Sequence, residues 1–381
     1  MFRIGTVNID TSHAPSFAEI LLKGDEGKYT AIYNAAFRTD EEVNSFIEKF
    51  GLDKRYTDLS EMAKDIDIAF IQSCNWDNHV AQAMPFIEAG VPVFIDKPLA
   101  GNIKDVKIFE ELASQGKVIL GTSAMRYTYE HESFFAIPEE ERGNIIHISV
   151  MVGVDEFNYA IHAVESIMGF LGDVTPVSTR YIGTNTVGDV PCDSFYVLFE
   201  NGASACYHIC KKGWQPSTAL VMTSKTSFAY KIDSNKVYEA MLKQVCAYMA
   251  GKENKLASVK QMTDSIKIML AGKKSMANGG TTENIADLKE AVEIVKAHPE
   301  LADKGQAATY GLVAHLPLRG MVRKQVLDIF ANSYKLNAEE IDLSDSDAVS
   351  PGSGESEDGK KGILDKIISW YVKKQSAKAN K

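Results

Sequence analysis

Val91-Pro92-Val93-Phe94-Ile95-Asp96-Lys97-Pro98-Leu99-Ala100 is the stretch from which the rest of the chain can be read. Its first half is a short apolar run rich in β-branched residues, the pattern of a strand buried on both faces. The run stops in an acid, a base and a proline. A lysine at the carboxyl end of a parallel strand lies where open α/β sheets bind their ligands. Pro98 removes a backbone donor and restricts the residue before it, so Lys97 is expected in an extended or turn conformation. On this stretch alone, a strand that ends in a turn with a solvated Asp-Lys pair is an equal reading.

Strand and helix alternate around this stretch with short connections, which predicts a parallel, doubly wound sheet. Further strands are expected at Ile4–Val7, Tyr29–Phe37, Ile66–Gln72 and Val118–Leu120. Helices are expected from Ser12 through Leu21 and over Asp40–Phe50, Asn78–Ala89 and Ile103–Gln115. Ser12 can cap the first, Pro15 suits its first turn, and Gly90 suits a left-handed helix end. From Ile145 the periodicity changes. Ile145–Val152 and a helix over Tyr159–Leu171 are followed by alternating segments at Val177–Tyr181, Ser194–Glu200, Ala203–Cys210, Ala219–Thr223 and Ser227–Lys231. Asn201-Gly202 reads as a two-residue hairpin turn, because both residue types tolerate positive φ. Two helices follow, near Asn235–Ala250 and Ser258–Ala277.

The expected fold class is therefore α/β joined to α+β. An N-terminal Rossmann-like parallel sheet domain (1–122) precedes an open, mostly antiparallel sheet domain with helices (123–290). Residues 291–343 read as a helical C-terminal region and 344–362 as an acidic low-complexity linker too polar to bury a core. Residues 363–381 carry Ile363, Leu364, Ile367, Ile368, Tyr371 and Val372 on one helical stripe beside lysines. Such a basic amphipathic helix is expected to dock on its own protein or a sister subunit, ahead of a foreign partner or a membrane.

The 381 residues suffice for two ordinary cores, and 45% hydrophobic with 24% charged residues is a globular composition. A net charge of −10 argues against nucleic-acid binding, because most of the surface would repel phosphates. The opening Met1-Phe2-Arg3-Ile4-Gly5 enters a strand at once, so no secretion signal is expected. Five cysteines suggest a reduced, cytoplasmic chain without a disulfide framework.

Several separate motifs together resemble the Gfo/Idh/MocA oxidoreductases. They comprise Arg55-Tyr56-Thr57-Asp58, Ile71-Gln72-Ser73-Cys74-Asn75, His79, and Ala89-Gly90-Val91 running into Asp96-Lys97-Pro98. The family reads Glu-Lys-Pro at that last position, with a histidine about 18 residues earlier. Arg126-Tyr127 resembles its Arg-Phe or Arg-Tyr, and Asn158-Tyr159-Ala160-Ile161-His162 its Asp-x-x-x-His helix. The resemblance implies hydride transfer between NADP or NAD and a hydroxyl or carbonyl of a sugar- or cyclitol-like polyol. It implies that Lys97 hydrogen-bonds the reacting oxygen and that His162 moves its proton. It places Arg126, Tyr127 and Asn158 around the substrate, and Asn8, Asp10, Thr11, Ser12, His13, Arg38, Ser73, Asn75, His79, Asp96 and Lys97 around the cofactor. Tyr159 and Glu165, three residues to either side of His162 on one helical face, read equally as lining the substrate pocket or orienting the imidazole and as packing. It also implies a homo-oligomer through the second sheet. Lysine and histidine suit the reaction: a cation stabilises the oxyanion that grows as hydride leaves, and a base titrating near neutrality completes the transfer.

The glycine-rich fingerprint is replaced. Asn8, Asp10 and His13 stand where G-x-G-x-x-G has its glycines, and Asp10 brings a carboxylate to the place where pyrophosphate meets a helix N-terminus. Three readings stay open: Thr11, Ser12 and His13 donate to phosphate; the dinucleotide site is lost and a non-catalytic ligand-binding relative remains; or Asp10 and His13 hold a metal, for which no third ligand is apparent. A redox-assisted lyase or glycosidase using tightly bound NAD is a further alternative. At the end of the second strand Phe37 replaces the usual acid and Arg38 follows, which leans towards NADP; a solvated helix-start arginine is the other reading. Cys206, His208 and Cys210 share one face of a strand, but residues two apart on a strand surround a metal poorly, so no metal is expected.

Overall fold

In the computed structural model the described residues are 1–289, apart from Phe37, Asp155, Glu156 and 212–214. The expectations for 291–381 (helical region, acidic linker and amphipathic helix) and for Phe37 lie outside them. All the described residues except Asp10–Ser12 belong to one compact unit.

The first sheet has six parallel strands: β1 (Phe2–Val7), β2 (Gly27–Tyr33), β3 (Lys54–Tyr56), β4 (Ile68–Ile71), β5 (Val93–Ile95) and β6 (Ile119–Gly121). Their order is β3-β2-β1-β4-β5-β6, so the winding direction reverses between β1 and β4. All seven residues of β4 and β5 are buried, as their unbroken apolar runs require for strands covered on both faces. Helix ends follow local chemistry. Thr39 and Glu42 form a capping box at Asp40–Phe50, and Gly51 at φ 63° closes it. Val43, Phe46 and Phe50 turn inward from that helix. β3 was not expected, since its three residues carry only Tyr56 inward and leave no alternation to read.

The second sheet has seven strands: β7 (Ile145–Val154), β8 (Pro176–Val187), β9 (Val190–Phe199), β10 (Ser204–Lys211), β11 (Thr218–Thr223), β12 (Ser227–Lys231) and β13 (Thr282–Asn284), in the order β12-β11-β7-β10-β9-β8-β13. Only β7 and β10 pair in parallel; the other pairs are antiparallel. Ala205, Tyr207 and Ile209 of β10 are buried while Cys206, His208 and Cys210 on the other face are half-buried, the two-residue period of a one-sided sheet. The inner face is covered by the helices Phe157–Leu171 and Val259–Ala277. The β9–β10 turn differs from the expected one. Only Gly202 has positive φ, at 83°, and its N–H bonds Phe199 O at 3.0 Å, so Asn201 keeps an ordinary conformation in a wider turn.

On the outer face the ring nitrogens of His208 meet Ser194 Oγ (2.8 Å) and Ser149 Oγ (3.2 Å), while Cys210 Sγ lies 3.3 Å from Cys192 Sγ. Cys206, His208 and Cys210 therefore do not converge. Among the described residues no group of three or more metal-binding side chains is placed to hold an ion, and no helix is long and apolar enough to cross a membrane.

Candidate active site

The site gathers where β1, β4, β5 and β6 end and the Phe157–Leu171 helix begins. That helix presents Asn158, His162 and Glu165 on one face, as the i, i+4, i+7 spacing dictates. Three residues from the first half of the chain meet them in order. Lys97 Nζ donates to Asn158 Oδ1 at 2.7 Å, with Asn158 O at 3.4 Å. Ser123 Oγ lies 2.7 Å from His162 Nδ1. Arg126 Nε pairs with Glu165 Oε2. Tyr159 lies alongside, its ring 5.5 Å from Lys97 Nζ and 5.4 Å from the His162 ring.

Lys97 is set by its turn. The Lys97–Pro98 peptide is cis, and the Lys97 N–H donates to Asp96 Oδ1 at 2.8 Å. The other Asp96 oxygen lies 2.6 Å from His13 Nδ1. Burial pushes the Asp96 carboxyl up, but the charge and hydrogen bond of His13, with Lys97 beside it, hold it below the ordinary carboxylate value. Tyr238 from the Val237–Met249 helix packs against His13, with ring centroids 5.1 Å apart. Its hydroxyl is pushed up by burial and by the charges of Asp96 and Tyr159.

The three residues on Glu165's side serve the junction. Arg126 Nη2 also reaches Ser265 Oγ (3.2 Å) and Gln261 O (3.4 Å), so one guanidinium ties the end of the first sheet to two helices of the second half. Burial raises Glu165 against the pull of Arg126. Tyr127 donates to Gly121 O at 2.9 Å and accepts the Ala257 N–H at 3.1 Å; burial pushes its hydroxyl up to about 12. Arg126, Tyr127 and Glu165 are thus turned mainly on the protein itself, whereas Asn158 and Tyr159 lie against Lys97.

Just after β1 Asn8 has φ 62°, a conformation that asparagine tolerates and that a glycine would otherwise supply. Asn8 Nδ2 donates to Ser73 Oγ (2.7 Å), and its Oδ1 accepts the Ala35 N–H (3.0 Å). Ser73 donates on to Gln82 Oε1 at 2.6 Å. His79, with no exposed surface, has Nε2 3.0 Å from Ser73 O and Nδ1 3.2 Å from Leu99 O. Burial lowers the ring's pKa against the pull of those two carbonyls. Asn75 Oδ1 accepts the Asp77 N–H and caps the turn Trp76–Asn78. Asp10, Thr11 and Ser12 form the bend before the helix His13–Leu21, with Asp10 buried.

Arg38 is buried, so it is not a solvated helix-start residue. Its Nε donates to Ile9 O (3.1 Å) and its Nη1 to Glu42 Oε1 (2.8 Å), while the second Glu42 oxygen accepts the Thr39 N–H. The arrangement fits an extended dinucleotide. The loops after β1 and β4 flank the point where strand order reverses, the binding crevice of such sheets, and Asn8 preserves the left-handed turn that opens it. Two residues here were not anticipated. Ser123 follows β6 and could have been found from the rule that strand carboxyl ends carry function. Tyr238 sits on a helix more than a hundred residues downstream, with no motif around it.

Comparison with known proteins agrees with this fold. Residues 3–123 match the Gfo/Idh/MocA family, described as an oxidoreductase family with an NAD-binding Rossmann fold. An uncharacterized oxidoreductase of Escherichia coli, YgjR, is 30% identical over 106 residues. That match takes in 27% of the present chain and spans only 31% of the relative's length. Among solved structures, scyllo-inositol dehydrogenase from Lactobacillus casei with NAD(H) and scyllo-inositol aligns at TM-score 0.64 and 15% identity, over 75% of this chain and 100% of its own. An oxidoreductase from Agrobacterium radiobacter in complex with NAD+, L-tartaric acid and magnesium aligns at TM-score 0.60 and 16% identity, over 75% of this chain and 98% of its own. At those identities the likeness is one of fold. The family match covers residues 3–123, about a third of the 381-residue chain.

Proposed function

We propose, on the family match of residues 3–123, that the chain is an NAD(P)-dependent dehydrogenase or reductase acting on a hydroxyl or carbonyl of a cyclitol- or sugar-like polyol. The observation that carries this reading is the bond from Lys97 Nζ to Asn158 Oδ1, which brings the lysine of the first sheet onto the helix face that holds His162. A bound nicotinamide supplies or accepts the hydride. The helix amides from His13 onward would hold its diphosphate, Arg38 the adenosine end, and Ser73 and Asn75 the loop beside the nicotinamide. Lys97 donates to the substrate oxygen, whose negative charge grows as hydride leaves carbon. His162 keeps a proton on Nδ1 towards Ser123 Oγ and accepts the hydroxyl proton at Nε2. Asn158 is neutral, so proton movement falls to His162.

NAD and NADP are both compatible with Arg38, which has five donors and a carboxylate partner in Glu42. The outer face of the second sheet exposes Tyr196, Leu198, Leu220 and Met222, and this row supports a homo-oligomer across it. The decisive test combines a fluorescence titration with NAD(H) and NADP(H) with turnover on a cyclitol panel, comparing the parent protein with Lys97→Met. Cofactor binding and turnover that disappears in the variant support the proposal. No binding at millimolar nucleotide would leave a ligand-binding relative, and product without net NAD(P)H would mean a redox-assisted elimination.

A further inference from the structure

We propose that His13 is a positioning residue for Lys97: it holds Asp96 in a buried hydrogen bond, so that this carboxylate does not draw the lysine ammonium away from Asn158 and the reacting oxygen. The inference rests on the role of Lys97 proposed above. His13 stands at the third glycine position of the fingerprint, yet its side chain is 5% exposed and reaches across the crevice to Asp96 at 2.6 Å. The ring is held on two sides, stacked on Phe17 at 5.8 Å and against Tyr238 at 5.1 Å. A replacement of glycine by an imidazole would ordinarily crowd the loop; here the ring has a built place and a charged partner.

The need for such a partner follows from what surrounds Asp96. Titratable groups that feel its charge are His13, Lys97, Tyr29, His79 and Tyr238. The two tyrosines carry no positive charge, and the buried His79 ring is turned onto main-chain carbonyls. His13 and Lys97 remain as donors to one buried carboxylate. The structure divides them: His13 takes Asp96, and the neutral amide of Asn158 takes Lys97. Relatives with an acid at the Asn158 position would set a carboxylate against the lysine; this chain has an amide there and an imidazole on its other acid. The two departures from the family pattern, His13 and Asn158, act in the same direction on the same ammonium.

The test compares His13→Ala, Asp96→Asn, the double variant and His13→Asn, whose amide nitrogen can replace Nδ1 as donor to Asp96. Lys97 is followed directly, by competitive acylation and peptide mass spectrometry across pH, alongside kcat and KM. In His13→Ala the freed carboxylate should raise the lysine pKa and slow its labelling about tenfold, the effect of one pKa unit. A kcat loss of similar size is expected, with KM for polyol little changed. Asp96→Asn should cancel this effect, and His13→Asn should restore most of the parental rate. Unchanged labelling in His13→Ala, or losses that multiply in the double variant, would overturn the proposal. If His13→Ala does not fold, the double variant, free of the buried charge, should; failure of both would also overturn it. Labelling that behaves as expected in a protein without turnover would leave the electrostatics standing and sink the dehydrogenase reading.

Discussion

Replacing Arg126 by methionine should destabilise the protein strongly, and in a way that reports its partner. Arg126 and Glu165 side chains are 5% and 0% exposed. Without the arginine, Glu165 keeps only neutral neighbours, among them Thr122 Oγ1 at 3.5 Å. Breaking a buried pair from one side costs about 3–5 kcal/mol, because the remaining charge has no compensation. For a chain of this size that is a fall in Tm of roughly 4–6 °C. Replacing both residues, with Arg126→Met and Glu165→Leu, should recover most of the loss, since an apolar pair of similar volume is often close to neutral. The pH dependence has a definite sign. Glu165 is already held above its ordinary value by burial, and loss of Arg126 raises it further. A carboxyl whose folded pKa is raised contributes stability below its unfolded value and loses it as pH rises through the folded value. The deficit of Arg126→Met should therefore be larger at pH 8 than at pH 5.5. Urea unfolding at both pH values, read at constant m, measures this. A loss under about 1 kcal/mol, a deficit independent of pH, or normal stability with a raised KM would refute the assignment and return Arg126 to the substrate.

Three further outcomes are expected. His131 is held neutral in the fold, with a pKa lowered to about 4 by burial and bonds to Thr128 Oγ1 and Ser166 O; its contribution should be lost as pH falls from 6.5 to 4, about 3 kcal/mol at 1.36 kcal/mol per unit. His131→Asn should flatten that slope in urea titrations, and an unchanged slope would place the titration elsewhere. Asn8→Ala should cost about 1 kcal/mol more than Asn8→Gly, because both lose the bonds to Ser73 and Ala35 but only alanine is strained at φ 62°; equal losses would remove the backbone argument. If Arg38 reads a 2′-phosphate, Arg38→Ala should weaken NADP far more than NAD and Glu42→Gln should strengthen NADP selectively, as calorimetry would show; parallel changes would discard that role.

What could be read in advance depended on how local the cause was. The Asp40–Phe50 helix carries its capping box and terminal glycine within its own residues, and β4 and β5 announce burial on both faces by composition. Lys97 was legible because strand, turn and proline lie together. The pairings that organise the site were not. His13 and Asp96 are 83 residues apart and Arg126 and Glu165 are 39 apart, and nothing in either segment's periodicity names its partner. Arg126 carried a motif signal that suggested substrate and Glu165 only a place on the His162 helix face, open equally to packing, whereas the geometry turns them on each other. Asn201-Gly202 shows a milder limit: the residue types marked the turn, but tertiary pairing of β9 and β10 chose its width.

The single parallel pair in the second sheet has a consequence for when the site can come into being. β7 leads into the helix that carries Asn158 and His162, yet its sheet neighbours are Ser204–Lys211 and Thr218–Thr223. The strand is synthesised some fifty residues before anything that can pair with it, and such long-range pairing is slow to form. A ribosome that has released His162 has therefore made a helix with no floor. Asn158 and His162 sit on a helix whose sheet is complete only once the chain has been made as far as Thr223, so completion of that face is a late event, governed by strands that contribute no residue to the candidate site.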